Sequence, residues 1–241
     1  MTMRILILGA GPSIEEDDTP VWLAEHGGVL LIERFIQACS QLRGKLIFAV
    51  RDAELRRFHI GEVIRLAAPD AEIVPIVGNT AGAACTALLC IEHIAADDEL
   101  LILAGNEFLD INFAEAIESF RGRNYDAGVV VFRSLHPRYS YVRLDQNGLI
   151  EEAAEKRPIS RNAAAGFTWF RRGSDFLQSA ADMIRKDAHL DGRFFISLAL
   201  NQLVLANRRM GVFEVDAANY HPIKSRQQLR AYELDAAEAK S

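Results

Sequence analysis

Four short apolar runs in the first half of the chain alternate with segments of helical periodicity, and this alternation constrains the fold more strongly than any other feature. The runs are RILILGA, KLIFAV, EIVPIV and ELLILAG. The first segment between them places Leu31, Phe35, Ile36 and Cys39 at helical spacing. Strands that are apolar throughout are buried on both faces, and strands separated by helices pair in parallel through right-handed crossovers. We therefore predict an α/β fold with a mainly parallel sheet flanked by helices.

The second half of the chain is predicted to be rich in β-structure. DAGVVVFRS, YSYVRLD, LIEEAAEK and AAGFTWFRR read as strands, and the turn signal DQNG between two of them predicts a hairpin. Helices are predicted over 174–187, with Ser174 as the N-cap, and over 194–206, and GVFEVDA reads as a late strand.

The domain organisation predicted from the sequence is simple, because no internal repeat, low-complexity tract or flexible linker is present. We expect one domain over residues 1–241, divided into halves at 1–125 and 126–230, with a frayed tail at 231–241. The apolar helix at 194–205 packs either internally or between subunits, so a homo-oligomer remains an open alternative.

Composition and charge restrict the classes of partner. Half of the residues are apolar and a quarter are charged, as in ordinary folded proteins. The net charge of −6 gives no basic footprint for nucleic acid, so we expect no nucleic-acid partner. No apolar run approaches the ~18 residues of a membrane span. The N-terminus also lacks a signal-peptide pattern, so a cytoplasmic protein is expected.

The first of three loops at predicted strand ends contains Gly9, Ala10 and Gly11. Ligands of open α/β sheets bind beyond the carboxyl ends of the strands, and consecutive backbone N–H groups of a glycine-rich loop can hold phosphate. A tight turn explains a bare Gly-x-Gly equally well. Four acidic residues follow at 15–18, and no Lys or Arg lies between Arg4 and Arg34. The sequence thus raises the question of what would neutralise a bound phosphate.

The second loop, VGNTAGAACTALL, places Thr80, Gly82 and Ala83 at the predicted start of a helix. Small side chains there let a base or ribose approach the backbone, and Thr80 is a candidate helix cap. Close packing of the helix on the sheet is the alternative explanation.

The third loop follows the strand ELLILAG and contains Asn106, Glu107 and Asp110. Acidic residues at this edge suit a Mg²⁺ ion that bridges phosphates. Solvated loop carboxylates are the alternative.

A charged segment, EKRPIS, follows a predicted strand in the second half and begins with Glu155 and Lys156. A lysine that projects into the ligand cleft can hold a phosphate as a point charge. An ordinary mixed-charge surface is the alternative.

Taken together, these stretches resemble the sugar-1-phosphate nucleotidyltransferase family, whose relatives include bacterial proteins of capsule and lipopolysaccharide synthesis. The resemblance covers nearly the whole chain, from ILILGAG through PVWLAEHGGVLLIERFI, NTAGAACTALL and AGNEFLDINF to EKRPISRNAAAGFTWFRRGSDF and YHPIK. It implies a Rossmann-like fold of the kind also used by GT-A glycosyltransferases, with a nucleotide-binding first half and a sugar-phosphate-binding second half.

The resemblance also implies a reaction, in which a sugar phosphate or similar phosphomonoester attacks the α-phosphorus of an NTP and releases pyrophosphate with the help of Mg²⁺. The nucleotide-binding residues implied are Gly9, Ala10, Gly11, Thr80, Gly82 and Ala83. The metal position corresponds to Asn106, Glu107 or Asp110, and the catalytic pair at the sugar phosphate to Glu155 and Lys156.

The chain lacks two basic residues that the family uses to neutralise phosphate. The family carries an Arg in the first loop and a Lys in Pro-Lys-x-Leu. In this chain no Arg follows the glycines of the first loop, and Val21 follows Pro20. Lys45 and Arg51 are the residues considered as substitutes for these two cations.

Two other functions therefore stay open. One is a GT-A-type glycosyltransferase that uses an NDP-sugar, although DIN at 110–112 is its nearest match to Asp-x-Asp. The other is a non-catalytic protein that binds a nucleotide or sugar phosphate.

Overall fold

The computed structural model describes residues 2–11 and 19–238, so the acidic stretch at 15–18 lies outside the described residues. The strands are β1 (Met3–Leu8), β2 (Glu25–His26), β3 (Val29–Leu30), β4 (Lys45–Arg51), β5 (Glu72–Ile76), β6 (Glu99–Ala104), β7 (Glu107–Leu109), β8 (Ala127–Arg133), β9 (Ser140–Leu144), β10 (Ile150–Glu155), β11 (Asn162–Phe170), β12 (Met210–Val215) and β13 (Tyr220–Pro222). The α-helices are α1 (Leu31–Cys39), α2 (Asp52–Phe58), α3 (Ile60–Ala67), α4 (Ala83–Leu88), α5 (Phe113–Gly122), α6 (Gly173–Arg185), α7 (Ile196–Leu205) and α8 (Arg226–Glu238).

A mixed central sheet organises the molecule. Strands β5, β4, β1 and β6 lie side by side in parallel, as the alternation of apolar runs and helices predicted. Strand β11 then pairs antiparallel with both β6 and β8, and β12 pairs parallel with β8. The predicted hairpin of β9 and β10 joins the start of β11. The α/β fold with a mainly parallel sheet and a β-rich second half is therefore confirmed.

Helices cover both faces of this sheet, which explains why its strands are apolar throughout. Along β1, Ile5 and Ile7 pack in the same buried cluster as Phe35 of α1, together with residues of α3 and α5. Leu6 points to the opposite face and packs in a second cluster with Phe176 of α6 and residues of α4 and α7. Successive side chains of a strand alternate between faces, so each strand contributes to two cores.

Two helix boundaries differ from the sequence-based prediction. The helical segment expected between the runs KLIFAV and EIVPIV is divided into α2 and α3 because His59 adopts a left-handed φ of 53°. Ser174 is not the N-cap of α6, whose N-cap is Arg172 with no side-chain cap. The backbone N–H groups of Gly173 and Ser174 instead donate to the carbonyl oxygens of Asp98 and Ala96, at 2.8 and 3.0 Å. A side-chain cap is not needed where loop carbonyls accept these hydrogen bonds.

The C-terminal part of the chain is helical in its described residues. A frayed tail was predicted from residue 231, whereas helix α8 continues to Glu238, and only residues 239–241 of that tail lie outside the described ranges. Tyr232 anchors the helix, because its side chain is buried and its ring packs at a tilt against His26 with centroids 4.7 Å apart. Within the described ranges, no helix is both long and apolar enough to cross a membrane.

The register of the parallel strands brings three loops to one edge. Leu8 of β1 is the partner of both Ala49 of β4 and Ala104 of β6. The segments that follow β1, β4 and β6 therefore leave the sheet side by side at its carboxyl edge, where ligands of open α/β sheets bind.

Candidate functional site

A cavity of about 610 Å³ lies at this carboxyl edge of the sheet. It is lined by members of all four segments selected from the sequence, namely Ala10, Gly11, Thr80, Gly82, Ala83, Asn106, Glu107, Glu155 and Lys156. The segments from both halves of the chain thus surround one hollow.

Two of the predicted site residues do not line this cavity. Gly9 packs against Trp22, whose ring is buried, and a Cβ atom built on Gly9 would lie 1.5 Å from a ring carbon of that side chain. Asp110 forms a 3.8 Å ion pair with Arg34, and its side chain is 66% exposed. Gly9 is therefore required for packing against Trp22, and Asp110 is not part of the lining.

Arg51 joins the first two loops. Its Nε atom donates a hydrogen bond of 2.8 Å to the carbonyl oxygen of Gly11, and its Nη1 atom donates one of 3.4 Å to Oδ1 of Asn79. Lys45, the other substitute cation considered, lies at the opposite end of β4 and pairs with Glu72 at 2.5 Å. Arg51 is thus the one of these two cations that lines the cavity.

The second loop is held by packing rather than by a threonine cap. Thr80 donates to, or accepts from, the hydroxyl of Thr86 at 2.7 Å, and the N-cap of α4 is Gly82 without a side-chain cap. Gly82 has a φ of 113°, and a Cβ atom there would lie 2.4 Å from the carbonyl oxygen of Phe194. Only glycine fits this position, because both the backbone angle and the neighbouring segment exclude a side chain.

In the third loop, the carboxylate of Glu107 already has a hydrogen-bond donor and a basic partner. Glu107 accepts a 2.9 Å hydrogen bond from the phenol of Tyr220 on Oε2 and forms an ion pair with Lys224 through Oε1. The side chain of Glu107 is only 10% exposed. Burial is the main cause that raises the pKa of Tyr220 well above its ordinary value, and the adjacent Glu107 carboxylate adds to it, so this phenol stays a donor.

The side chains at the predicted metal position are a poor match for Mg²⁺. Asn106 offers a neutral amide, Glu107 is already paired with an ammonium group, and Asp110 is paired with Arg34 outside the cavity lining. Residues 2–11 and 19–238 contain no group of three or more His, Cys, Asp or Glu side chains arranged to hold a metal. Mg²⁺ favours carboxylate oxygens that are free to coordinate it.

Glu155 and Lys156 sit where strand β10 ends. The Oε2 atom of Glu155 accepts hydrogen bonds from the hydroxyls of Ser140 and Ser197, at 2.5 and 2.9 Å. Lys156 has a left-handed φ of 53°, and its backbone N–H donates to the carbonyl oxygen of Tyr139 at 3.0 Å. Such backbone conformations cost on the order of 1 kcal/mol and concentrate at functional sites. The carboxylate is oriented by two hydroxyls, while the lysine enters the cavity lining.

The cavity contains basic residues that the sequence analysis did not select. Its basic side chains are Arg51, Arg138, Lys156, Arg193 and Lys224, and its acidic ones are Glu107 and Glu155. Lys224 occurs within the stretch YHPIK noted above and Arg138 directly precedes the predicted strand YSYVRLD, but nothing in the pattern marks Arg193. The excess of positive charge, within a partly apolar lining, suits a phosphorylated ligand.

The nearest match to an Asp-x-Asp motif has other partners. Asn112 is the N-cap of α5, and its side chain accepts from the backbone N–H groups of Ala114 and Glu115 at 3.0 and 3.3 Å. Asp110 pairs with Arg34. Neither residue lines the cavity, which disfavours the metal-dependent GT-A glycosyltransferase alternative.

Comparisons with known proteins agree with this architecture. The family model described as "Nucleotidyl transferase" matches residues 32–203, well over half of the chain. A search of curated proteins gives no significant match.

Two solved structures share the fold. A nucleoside-diphosphate-sugar pyrophosphorylase from Vibrio cholerae RC9 superposes with a TM-score of 0.81 and 17% identity, over 97% of this chain and 100% of the other. A structure from Bacillus anthracis, provisionally described as a glucose-1-phosphate thymidylyltransferase in complex with a sucrose, superposes with a TM-score of 0.74 and 18% identity, over 98% of this chain and 95% of the other. The family match and the conserved architecture together lead to one conclusion: the chain belongs to the nucleotidyl transferase family.

Proposed function

We propose that this protein transfers a nucleoside monophosphate from an NTP to a sugar 1-phosphate or a similar phosphomonoester. A phosphate oxygen of the acceptor attacks the α-phosphorus, the bond between the α-phosphorus and the bridging oxygen to the β-phosphorus breaks, and pyrophosphate leaves. The products are an NDP-sugar, or an equivalent activated head group, and pyrophosphate. Chemistry of this type depends mainly on positioning and on neutralising the charge of the phosphates.

The single observation that carries the proposal is the cavity that Gly11 and Lys156 both line. These residues are far apart in sequence and represent the triphosphate side and the sugar-phosphate side implied by the resemblance. Their presence in one hollow allows two phosphorylated substrates to meet there.

Each side of the cavity has a distinct role in this proposal. Arg51, which is bonded to the first loop, faces the triphosphate and supplies positive charge that the loop lacks. Lys156 holds the phosphate of the acceptor as a point charge. Glu155, oriented by Ser140 and Ser197, accepts hydrogen bonds from hydroxyl groups of the acceptor.

The experiment is a substrate screen of the full chain. Each of the common NTPs is incubated with a panel of sugar 1-phosphates and other phosphomonoesters, and released pyrophosphate is measured together with the nucleotide product by mass spectrometry. Pyrophosphate release that depends on one acceptor supports the proposal. Binding of NTP without release across the panel would favour the non-catalytic alternative, and transfer from an NDP-sugar to a glycan would favour the glycosyltransferase.

The wider role follows from the same resemblance and is part of the proposal. An activated sugar of this kind is a donor for glycosyltransferases, and we assign it to the synthesis of surface polysaccharides such as capsule or lipopolysaccharide. The reaction draws on the NTP pool, so we place the protein in the cytoplasm.

A further inference from the structure

We propose that the ammonium group of Lys224 takes the place that a divalent metal ion would occupy beside Glu107, so that the cavity binds a pyrophosphate group without a metal. The inference rests on the proposed function, because it concerns the triphosphate side of the same cavity. It starts from the ion pair of Lys224 and Glu107, both of which line the cavity.

The backbone around Lys224 is fixed on both sides. The N–H of Ile223, a fully buried residue, donates to the carbonyl oxygen of Asn106 at 2.8 Å. The N–H of Lys224 itself donates to Oε1 of Gln228 at 3.0 Å. The pairing of β13 with β7 sets this register, with Pro222 opposite Glu107. The fold therefore fixes the backbone from which the Lys224 side chain extends to Glu107.

Glu107 has little capacity left for another cation. One carboxylate oxygen accepts from Tyr220 and the other pairs with Lys224, and the side chain is 90% removed from solvent. A divalent ion at this carboxylate would have to displace the ammonium or lie beside a like charge at short range, which is unfavourable in a partly buried site. The side chain of Lys224, which is 37% exposed, keeps donor hydrogens available to a ligand in the cavity.

The excess of basic over acidic side chains in the lining favours a ligand whose phosphate groups carry no bound metal ion. Five basic side chains face two acidic ones, and both carboxylates already have partners of their own in Lys224, Tyr220 and two serine hydroxyls. A pyrophosphate group would contribute the missing negative charge. Charge-assisted hydrogen bonds from lysine and arginine are well suited to phosphate oxygens.

The test is isothermal titration calorimetry of the full chain with inorganic pyrophosphate, once in buffer with EDTA and once with Mg²⁺ at matched ionic strength. Four proteins are compared: the wild type, Lys224→Gln, Lys224→Arg and the control Lys45→Gln. Lys45 is a suitable control because it also forms an ion pair with a glutamate, Glu72, but lies outside the cavity. Circular dichroism verifies that every variant is folded.

The wild type and Lys45→Gln are expected to bind pyrophosphate in EDTA with affinities within about 3-fold of those in Mg²⁺. Lys224→Gln is expected to bind about 10- to 100-fold more weakly in EDTA, the usual effect of losing one charged hydrogen bond, and Lys224→Arg to keep most of the affinity. Pyrophosphate binding by the wild type that requires Mg²⁺, or wild-type affinity in Lys224→Gln, would overturn the inference.

This result is separable from the substrate screen. If no NTP is turned over but pyrophosphate binds in EDTA through Lys224, the proposed function fails and the inference stands. If turnover occurs and pyrophosphate binding needs Mg²⁺, the function stands and the inference fails.

Discussion

Arg51 and Gly11 are joined by a 2.8 Å hydrogen bond from the Nε atom of the arginine to the carbonyl oxygen of the glycine. The bond places a guanidinium group against a glycine-rich loop whose described part contains no cation of its own. Val21 stands at the position that, by the resemblance, corresponds to the lysine of Pro-Lys-x-Leu, and it is followed by the buried Trp22. Positive charge on this side of the cavity is therefore supplied from the end of β4.

Replacing Arg51 by methionine is expected to weaken NTP binding by about 10- to 100-fold, because the change removes both a charge and the link between Gly11 and Asn79. Calorimetric titration with NTP measures the effect. Arg56→Met is the matched control, since Arg56 pairs with Asp52 on the exposed side of α2. Equal affinity in the two variants would contradict a role for Arg51.

Lys156→Gln is expected to lower kcat/KM for the sugar phosphate by about 10- to 100-fold, because the acceptor phosphate loses its point charge. Arg157→Gln should leave kcat/KM within about 2-fold, since Arg157 pairs with Glu152 at 2.8 Å and does not line the cavity. Steady-state kinetics with the acceptor identified in the substrate screen measure kcat/KM for the two variants and the wild type. A larger loss of kcat/KM in Arg157→Gln than in Lys156→Gln would show that Arg157, and not Lys156, contacts the acceptor.

The parallel half of the sheet could be predicted because it follows general rules. Apolar runs separated by segments of helical periodicity predicted the four parallel strands that lie side by side. The loops after Leu8 and Ala104 meet because parallel strands end at one edge of the sheet. The break between α2 and α3 was missed because His59 adopts a left-handed angle that no neighbouring glycine or proline signals.

The site was only partly predictable, for a different reason. Lys224 reaches Glu107 through the pairing of β13 with β7, strands that are more than a hundred residues apart, and a local pattern carries no information on such a contact. Gly9 was interpreted as a phosphate contact, but its packing partner, Trp22, is identified only by the folded structure. The order of strands and loops in the sequence indicated which loops meet. Which charged side chains pair with one another depended on tertiary contacts that the sequence does not reveal.

Gly9→Ala is expected to destabilise the protein by about 2–4 kcal/mol, because the new methyl group would overlap the buried ring of Trp22. For a chain of this size, a loss of this order lowers Tm by roughly 5–15 °C. Gly11→Ala provides the comparison, since a Cβ atom there has no neighbour within 4 Å. Differential scanning calorimetry of both variants tests this, and similar Tm values would refute the packing role of Gly9.

Stability is expected to fall as the pH rises from about 4.5 to about 7, because over this range Glu54 is ionised in the unfolded chain but still protonated in the folded protein. Burial raises the pKa of Glu54 to about 7, against a partial opposing effect of Arg51, and its Oε2 atom has no hydrogen-bond partner among the described residues. Below about pH 4.5 the carboxyl is protonated in both states and carries no penalty. Above pH 7 it is ionised in both states, and the folded state bears the full cost of the buried charge.

Glu54→Gln should therefore stabilise the protein at pH 8 by about 1–2 kcal/mol, after allowance for partial solvent screening, and have little effect at pH 4.5. Urea unfolding of the wild type and the variant across this pH range measures the difference. A difference that does not change with pH would show that the pKa of Glu54 is the same in the folded and unfolded states.

The pairing of β13 with β7 has a consequence for the biosynthesis of the protein. Glu107 emerges from the ribosome more than a hundred residues before Lys224, and until the later strand docks, this carboxylate lacks its ammonium partner. The parallel strands β1, β4, β5 and β6 all precede Glu107, whereas Lys224 can join Glu107 only after the β13 segment has been translated. The proposed binding of a phosphorylated ligand therefore requires the later β13 segment as well as the parallel half of the sheet.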